Sequence, residues 1–208
     1  MAQGHVGRLT YEHTNCCVIV AHPDDETLWA GGTLLMHPDS CWTVVSLCRG
    51  DDSDRAARFH KAMEQYGAKG VMGDLDDGPE QKPLGVVKME DAILNLLPSG
   101  RYDLIITHGL WGEYTSHRRH EEVAKAVMAL RESGRLSAGE VWMFAYEDGG
   151  RKYLPKPMAD ADVYIRLPED IWEEKHRIIR EVYGFEADSF EAKTTPREEA
   201  FWVLGKAK

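Results

Sequence analysis

The stretch VIVAHPDDETLWAGG, Val18 to Gly32, decides the fold that we predict for this chain. A short apolar run ends at His22, and a proline and three acidic residues at positions 24–26 then precede an apolar segment with helical character. A continuous apolar run of this length favours a buried strand, and acidic residues suit the first turn of a helix. We therefore predict a strand, a tight turn and a helix, with a histidine and three carboxylates gathered at the turn.

The alternation of strand and helix continues along the chain. Predicted strands cover residues 16–21, 43–47, 70–75, 103–107, 140–146, 163–167 and 200–204. Predicted helices cover residues 27–36, 53–66, 84–97, 117–132 and 168 to about 183. Strands that alternate with helices at this spacing are typical of parallel βαβ units. We expect an α/β fold with a mostly parallel sheet covered by helices on both faces. A single domain should span 1–208, with a motif-bearing core at about 16–150 and a less regular part at about 151–208.

Composition limits the partner and the compartment. Lys and Arg number 25 against 35 Asp and Glu, a formal charge of −10, which argues against a nucleic-acid backbone or an anionic membrane as the main partner. No CxxC pair occurs, and no apolar run approaches the ~20 residues of a membrane span. The N-terminus lacks a basic start followed by a long apolar region. We expect a cytoplasmic protein without membrane insertion, and the sequence is compatible with a homo-oligomer. We expect the cysteines to be reduced and to serve as small apolar residues in or beside strands. They are Cys16, Cys17, Cys41 and Cys48.

Polar segments follow the first four predicted strands. They read HPDDE, CRGDDSD, DLDDGP and HGLWGEYTSHRRH. Ligands of open α/β sheets bind outside the carboxyl ends of the strands, so these segments should line one crevice.

A metal site fits the residues in that crevice. A catalytic zinc takes three protein ligands and leaves a position for water. His22 and Asp25 are three residues apart at a strand-to-helix turn, and a third ligand could come from the His117/His120 pair at the start of a helix. A helix N-terminus disfavours a protonated imidazole, and a metal needs the neutral form. Asp24 could then take a proton from bound water, and the spare histidine could polarise a carbonyl or protonate a leaving amine.

Simpler interpretations exist for each pattern. Acidic residues between a strand and a helix are often N-terminal caps, and a histidine at a strand end is often only a hydrogen-bonded structural residue. His108 has mainly that structural interpretation. The two patterns nevertheless fall at the ends of two strands that we expect to be neighbours. This coincidence favours a metal site and metal-assisted hydrolysis.

The segment AHPDDETLWAGGTLL resembles the signature of the LmbE-like family of zinc deacetylases. That family includes the N-acetylglucosaminyl-phosphatidylinositol de-N-acetylases and the deacetylases of mycothiol and bacillithiol synthesis. Matching features follow in order: Gly31-Gly32-Thr33, Arg49-Gly50, the DDG at 76–78, Thr107-His108-Gly109, Gly112-Glu113-Tyr114 and the His-x-x-His from His117 to His120. The resemblance runs from about residue 16 to 128 and implies a Rossmann-like fold.

The resemblance also implies roles for individual residues. Zinc would be held by His22, Asp25 and His120; iron(II) would accept the same ligands. Asp24 would be the general base, and His117 the electrostatic stabiliser or general acid. The substrate would be an N-acetylated amino sugar, usually an N-acetylglucosamine conjugate. The residues expected to line the sugar site are Arg49, Asp51, Arg55, Asp77 and Tyr114.

This chain also departs from the family pattern. Arg118 and Arg119 stand where many members have a proline and an acidic or amide residue, and we expect them to be solvated or to face an anionic substrate group. Thr115 and Ser116 place Tyr114 further from His117 than is usual in the family.

The sequence has three alternative functional interpretations. One is cleavage of another N-acyl sugar or of a thiol-sugar conjugate. Another is an idle sugar- or metal-binding protein, against which the intact Asp24 argues. The third, a nucleotide-binding domain, is disfavoured because Gly31-Gly32 lies inside a helix and the acidic turn would repel phosphate.

Overall fold

A computed structural model of the chain describes residues 15–115 and 117–205. Its strands are β1 (Asn15–Val20), β2 (Cys41–Cys48), β3 (Lys69–Leu75), β4 (Tyr102–Thr107), β5 (Ala138–Phe144), β6 (Tyr146–Glu147), β7 (Lys156–Pro157), β8 (Val163–Arg166) and β9 (Glu198–Val203). Its helices are α1 (Asp25–Met36), α2 (Ser53–Tyr66), α3 (Val86–Leu96), α4 (Arg118–Glu132), α5 (Glu169–Arg177) and α6 (Phe190–Thr194). A π-helical turn, Ile178–Val182, continues α5.

Seven of these strands form one mixed sheet in the order β3-β2-β1-β4-β5-β9-β8. β1 pairs in parallel with both β2 and β4, and the β2–β3 and β4–β5 pairs are parallel as well. β9 runs antiparallel to β5 and β8, while β6 and β7 form a separate ribbon. The expected α/β fold with a mostly parallel sheet is therefore confirmed.

The core lies on both faces of the sheet, as the continuous apolar run of β1 predicts. Cys16, Val18 and Val20 face one core cluster, and Cys17 and Ile19 face the other. Apolar residues of α1 and α2 pack in the first cluster, and those of α3 and α4 pack in the second. After β1 the chain therefore passes to one face of the sheet, and after β4 it passes to the other. The carboxyl ends of these neighbouring strands border a crevice of the kind that binds ligands in doubly wound folds.

One buried carboxylate joins the C-terminal segment to α1. Glu199 in β9 accepts hydrogen bonds from the N–H groups of Gly32 at 2.7 Å and Thr33 at 2.8 Å. The ammonium of Lys175 donates to the same carboxylate at 2.7 Å, and both side chains are fully buried. A Cβ atom on Gly32 would overlap the terminal methyl groups of Leu167 and lie 3.0 Å from Oε1 of Glu199, so the close approach favours glycine at this position.

The C-terminal part departs most from the sequence prediction. The helix expected from 168 to about 183 is α5 followed by the π-helical turn. The strand expected over 140–146 ends at Phe144, because the chain changes partners at Ala145, whose carbonyl accepts from Met158 N–H. β7 and α6 were not predicted, since elements of two and five residues carry no readable period.

Two expectations extend beyond the described residues. The single domain assigned to 1–208 and the interpretation of the N-terminus both include residues 1–14, which lie outside the described part of the chain. Within residues 15–115 and 117–205, no helix is long and apolar enough to cross a membrane.

Candidate metal centre and active site

Three of the predicted site residues meet at the ends of β1 and β4. His22 follows β1, Asp25 begins α1, and His120 lies in the first turn of α4. The Oδ2 atom of Asp25 lies 3.1 Å from Nδ1 of His22 and 3.3 Å from Nε2 of His120. The two histidine nitrogens are 3.3 Å apart. The topology therefore brings together residues that are far apart in sequence.

This trio of donor atoms fits a tetrahedral metal ion. With metal–ligand bonds of about 2.0–2.2 Å, two donors of a tetrahedral ion lie roughly 3.3–3.6 Å apart. The three observed separations, 3.1, 3.3 and 3.3 Å, are close to that range. Two imidazoles and one carboxylate also form a donor set that catalytic zinc takes, with a position left for water.

Each of these histidines is supported by a carboxylate on its other ring nitrogen. Nε2 of His22 lies 3.2 Å from Oδ1 of Asp77, and Nδ1 of His120 lies 2.6 Å from Oε2 of Glu113. Such carboxylate partners fix the tautomer and orientation of metal-binding histidines. They leave Nδ1 of His22 and Nε2 of His120 facing each other and Asp25.

The same carboxylates control the protonation of the two histidines. Burial lowers the pKa of His22, but Asp25 and Asp77 outweigh it and raise the pKa to about 9. Burial likewise lowers the pKa of His120, which Asp25 and Glu113 raise to about 10. In the metal-free protein, Asp25 and Glu113 therefore favour the protonated form of His120, in contrast to the neutral form expected at a helix N-terminus.

Among the described residues, three other groups of side chains could hold an ion, one of which is His22, His117 and His120. The two groups that contain His108 or Cys48 are less suitable. His108 lies near Asp25 and His120, but its Nε2 accepts a hydrogen bond from Ala21 N–H at 2.9 Å, which occupies the lone pair. Its Nδ1 then donates to Glu113 at 3.0 Å, in line with the structural role expected for His108. Cys48 lies near His22 and Asp77, but burial raises its pKa to about 12, which disfavours the thiolate that a metal needs.

His117 lies beside the trio rather than within it. Its ring stacks on that of His120 with centroids 4.0 Å apart and meets the ring of His22 at 4.7 Å. Burial and the adjacent His120 and His22 lower the pKa of His117 to about 3, so its ring is neutral, as expected. Its Nδ1 atom is buried and has no hydrogen-bond partner within the described part of the chain.

Asp24 adopts a strained backbone at the turn between β1 and α1. Its φ of 133° and ψ of −28° fall where residues with a side chain are rare and cost about 1–3 kcal/mol. Asp24 stands at the N-cap position of α1, but its side chain makes no capping hydrogen bond to the helix. Oδ2 instead accepts from Nη1 of Arg55 at 3.0 Å, and burial together with Asp25 raises the Asp24 pKa well above its usual range.

A small cavity and a larger cleft meet at these residues. The cavity has a volume of about 180 Å³ and the cleft about 800 Å³, and both are lined by Arg49, Asp77 and His117. Ligand pockets typically measure roughly 300–1,000 Å³, so the cavity suits only the reacting group of a substrate, and the cleft suits the remainder. The other residues that line the cavity are His22, Pro23, Asp24, Asp25, Leu28, Arg55, Tyr114, Phe190 and Glu191.

The family match agrees with this arrangement. Residues 17–131 match the model of the PIG-L family, described as GlcNAc-PI de-N-acetylase. The chain belongs to this family. Membership supports a deacetylase-type hydrolase with a metal site, and it confirms the resemblance drawn from AHPDDE and the distant His-x-x-His.

Individual relatives extend the comparison. An uncharacterised protein of Acanthamoeba polyphaga mimivirus is 24% identical over 185 residues, which cover 81% of this chain and 75% of that protein. The zinc-inhibited form of teicoplanin deacetylase superposes with a TM-score of 0.65 at 14% identity, covering 91% of this chain and 97% of the other. The 4-carboxy-2-hydroxymuconate hydratase GalB from Pseudomonas putida superposes with a TM-score of 0.63 at 15% identity, covering 93% and 98%. The two solved structures share the fold of this PIG-L family member.

The five residues expected to bind the sugar lie around the cavity and the cleft of this PIG-L family member. Arg49, Arg55, Asp77 and Tyr114 line the cavity, and exposed Asp51 lines only the cleft. Asp77 also has a role that the sequence did not suggest: it orients His22, while Nη2 of Arg49 donates to its Oδ2 at 2.7 Å.

The expectation for Arg118 and Arg119 is wrong at the second position. Arg119 is fully buried and donates to the carbonyls of Asp76 at 2.7 Å and Lys82 at 2.8 Å. It also pairs with Glu122. Arg119 therefore holds the loop that carries Asp77, whereas Arg118 is exposed and donates to the carbonyl of Gln81 at the edge of that loop at 2.7 Å.

Sequence reasoning missed Glu113, Phe190 and Glu191 as site residues. Glu113 was visible within the Gly-Glu-Tyr motif, but its contacts with His108 and His120 depend on the folded loop. Phe190 and Glu191 belong to α6, where Phe190 packs against Tyr114 with ring centroids 5.1 Å apart. The sequence of so short a helix carries no signal of its place beside the cavity.

Proposed function

We propose that this chain is a metal-dependent N-deacetylase that removes the acetyl group from an N-acetylated amino sugar of the N-acetylglucosamine type. The observation that supports this most is that the trio His22, Asp25 and His120 adjoins a cavity lined by two further functional groups. Those groups are the side chains of Asp24 and His117. Zinc is the proposed ion, and iron(II) fits the same donors.

Asp24 would act as the general base. A divalent ion bound by the trio would lower the pKa of a water molecule and polarise the amide carbonyl. The carboxylate of Asp24 lines the same cavity as His22 and Asp25, which supports its proposed role as the acceptor of a proton from that water. Its raised pKa suits a group that holds the proton and then delivers it to the departing amine.

His117 would stabilise the oxygen of the amide as it gains negative charge. Its ring is neutral and lines both the cavity and the cleft, which supports a contact with a substrate atom. A buried donor that finds its partner only in the transition state contributes directly to rate, and removal of one such donor costs about 3–4 kcal/mol.

The cleft suits a polar sugar conjugate. Its lining mixes guanidinium, ammonium and carboxylate groups, from Arg49, Lys88 and Asp51 among others, which offer both donors and acceptors to hydroxyl groups. A thiol-sugar conjugate or another N-acyl sugar would meet the same surface. We also propose a reducing, cytoplasmic location, which the thiols of Cys17 and Cys48 in the core support.

The decisive experiment measures metal content and amine release together. The chain is purified without chelator, analysed for zinc and iron, and incubated with a panel of N-acetylated sugars and sugar conjugates. About one ion per chain, with free amine from one sugar, would support the proposal. Metal without amine release would favour an idle binding protein. If the wild-type chain takes up no added zinc, Asp25 and the two histidines have a structural role and do not form a metal site.

A further inference from the structure

The strained backbone of Asp24 needs support from the residues around it. Its φ of 133° lies in a region that side chains disfavour. Rotation about φ moves the side chain relative to the preceding chain, so this conformation determines where the carboxylate points. Whatever holds the Asp24 backbone therefore also sets the direction of the proposed base.

Glu26 provides that support from inside the core. The fully buried carboxylate accepts a hydrogen bond from the backbone N–H of Asp24 through Oε2 at 3.1 Å. Its other oxygen, Oε1, accepts from the hydroxyl groups of Thr27 at 2.7 Å and Tyr183 at 2.5 Å. Three donors on two oxygens restrict the carboxylate to one orientation.

Tyr183 reaches this carboxylate from the C-terminal segment, beyond the residues 17–131 that match the family model. It follows the π-helical turn Ile178–Val182, and its side chain is buried. Its backbone carbonyl accepts from Nη1 of Arg58 in α2 at 2.6 Å. Both ends of the tyrosine are therefore fixed, the backbone by Arg58 and the hydroxyl by Glu26.

We infer that Tyr183 is a positioning residue for Asp24 and acts through Glu26. The hydroxyl orients the Glu26 carboxylate, and that carboxylate holds the backbone from which the base projects. Of the described residues that line the cavity, none is Glu26 or Tyr183, so their effect on the reaction is indirect. The catalytic consequence rests on the proposed function, because it assigns Asp24 the role of base.

The test compares two buried tyrosines of the same network. The hydroxyl of Tyr66 donates to Oγ1 of Thr27 at 2.8 Å, one hydrogen bond further from Glu26 than that of Tyr183. In zinc-loaded enzyme assayed for amine release, Tyr183→Phe should lower kcat about tenfold or more, because a displaced base is costly. KM and zinc content should stay within about twofold of wild type, and Tyr66→Phe should leave all three values within about twofold. Glu26→Gln should lower kcat at least as much as Tyr183→Phe.

A crystal structure of Tyr183→Phe gives a readout that needs no turnover. The expected result is a changed φ at Asp24 and a longer contact between Asp24 and Arg55. Unchanged Asp24 geometry, or unchanged kcat, would overturn the inference. If the wild type releases no amine from any sugar, the proposed function fails, and the Asp24 torsion angles still decide whether Tyr183 positions it. If Tyr183→Phe and Glu26→Gln both fail to fold, the network supports the fold rather than Asp24, and the inference is also overturned.

Discussion

The carboxylate of Glu113 lies 2.6 Å from Nδ1 of His120 and holds that ring so that its other nitrogen faces Asp25. The same carboxylate accepts from Gly109 N–H at 2.8 Å and from His108. One fully buried acidic side chain thus organises the loop between β4 and α4. Its negative charge also helps to raise the pKa of His120.

Glu113→Gln should weaken metal binding without removing a ligand. The amide nitrogen of glutamine would face a donor in either orientation, the Gly109 N–H at the Oε1 position or His108 and His120 at the Oε2 position. Loss of such supporting carboxylates typically costs about 10–100-fold in metal affinity. Competition between the protein and a coloured chelator would measure this. Glu121→Gln is the matched control, since Glu121 pairs with Lys125 on the outer surface of the same helix. Equal affinity in the two variants would contradict the role of Glu113.

Alanine substitution of each histidine of the His-x-x-His motif should separate metal binding from catalysis. His120→Ala should lose stoichiometric zinc, because it removes one of the three proposed ligands. His117→Ala should keep zinc and lose about a hundredfold or more in kcat, the effect of removing one donor to a developing oxyanion. Metal analysis and amine release on the same samples decide the matter. Full zinc content in His120→Ala would remove that residue from the ligand set.

Asp24→Asn should bind zinc normally and lose turnover by about a hundredfold or more, as expected for a general base. The amide retains the shape of the side chain and can still accept from Arg55, but it cannot take a proton. Asp52→Asn, at the capping position of α2, is a control for an isosteric change at a nearby aspartate. Near wild-type turnover in Asp24→Asn would show that another group removes the proton.

Metal affinity should rise with pH well beyond the range of ordinary histidines. The raised pKa values of His22 and His120, about 9 and about 10, mean that zinc must displace protons at neutral pH. Affinity should therefore increase by about one to two decades per pH unit below pH 9, one decade for each proton released. Chelator competition from pH 6 to pH 10 would test this. A plateau above about pH 7 would show that the histidines are already neutral.

Metal-free protein should show the opposite trend in stability. A raised pKa in the folded state contributes stability that is fully present below the unfolded value of about 6.5. That contribution is lost as the pH rises through the folded values of about 9 and about 10. Urea denaturation of chelator-treated protein should therefore give a free energy of unfolding that falls between pH 7 and pH 10. In protein loaded with zinc beforehand, the free energy of unfolding should instead rise with pH over the lower part of this range.

Arg119→Ala should destabilise the protein by about 3–5 kcal/mol, the usual cost of breaking a buried ion pair from one side. Glu122 would lose its partner, and the carbonyls of Asp76 and Lys82 would lose their donor. Arg118→Ala is the control, because the adjacent side chain is exposed and surface contacts are worth about 0–1 kcal/mol. Urea denaturation of both variants gives the comparison, and equal stability would show that the loop does not depend on Arg119.

The parts of the fold that could be predicted are those set by local patterns. The apolar run of β1 and the alternation of elements up to β5 determine the parallel sheet, and the sheet in turn brings His22 and His120 together at neighbouring strand ends. Periodicity also gave the bounds of α2, which begins at Ser53 and ends at Tyr66 as predicted.

What could not be predicted depends on contacts between distant segments. An arginine beside a helix start normally reads as a surface residue, and Arg119 is buried only because the carbonyls of a loop about 40 residues earlier surround it. The bond from Tyr183 to Glu26 joins residues 157 positions apart. The strain at Asp24 likewise has no signature in sequence, because aspartate at that place is compatible with an ordinary cap.

The buried carboxylate of Glu199 has a consequence for protein engineering. Chimaeras that exchange the last third of the chain between relatives are an obvious route to new specificity, since α6 reaches the cavity from there. The contacts of Glu199 with Gly32, Thr33 and Lys175 mean that such a graft is not modular. A donor segment that lacks either the glutamate or the lysine would leave an unmatched charge against the helix that begins with Asp25. The last third of the chain and the part that carries α1 must therefore be recombined as a matched pair.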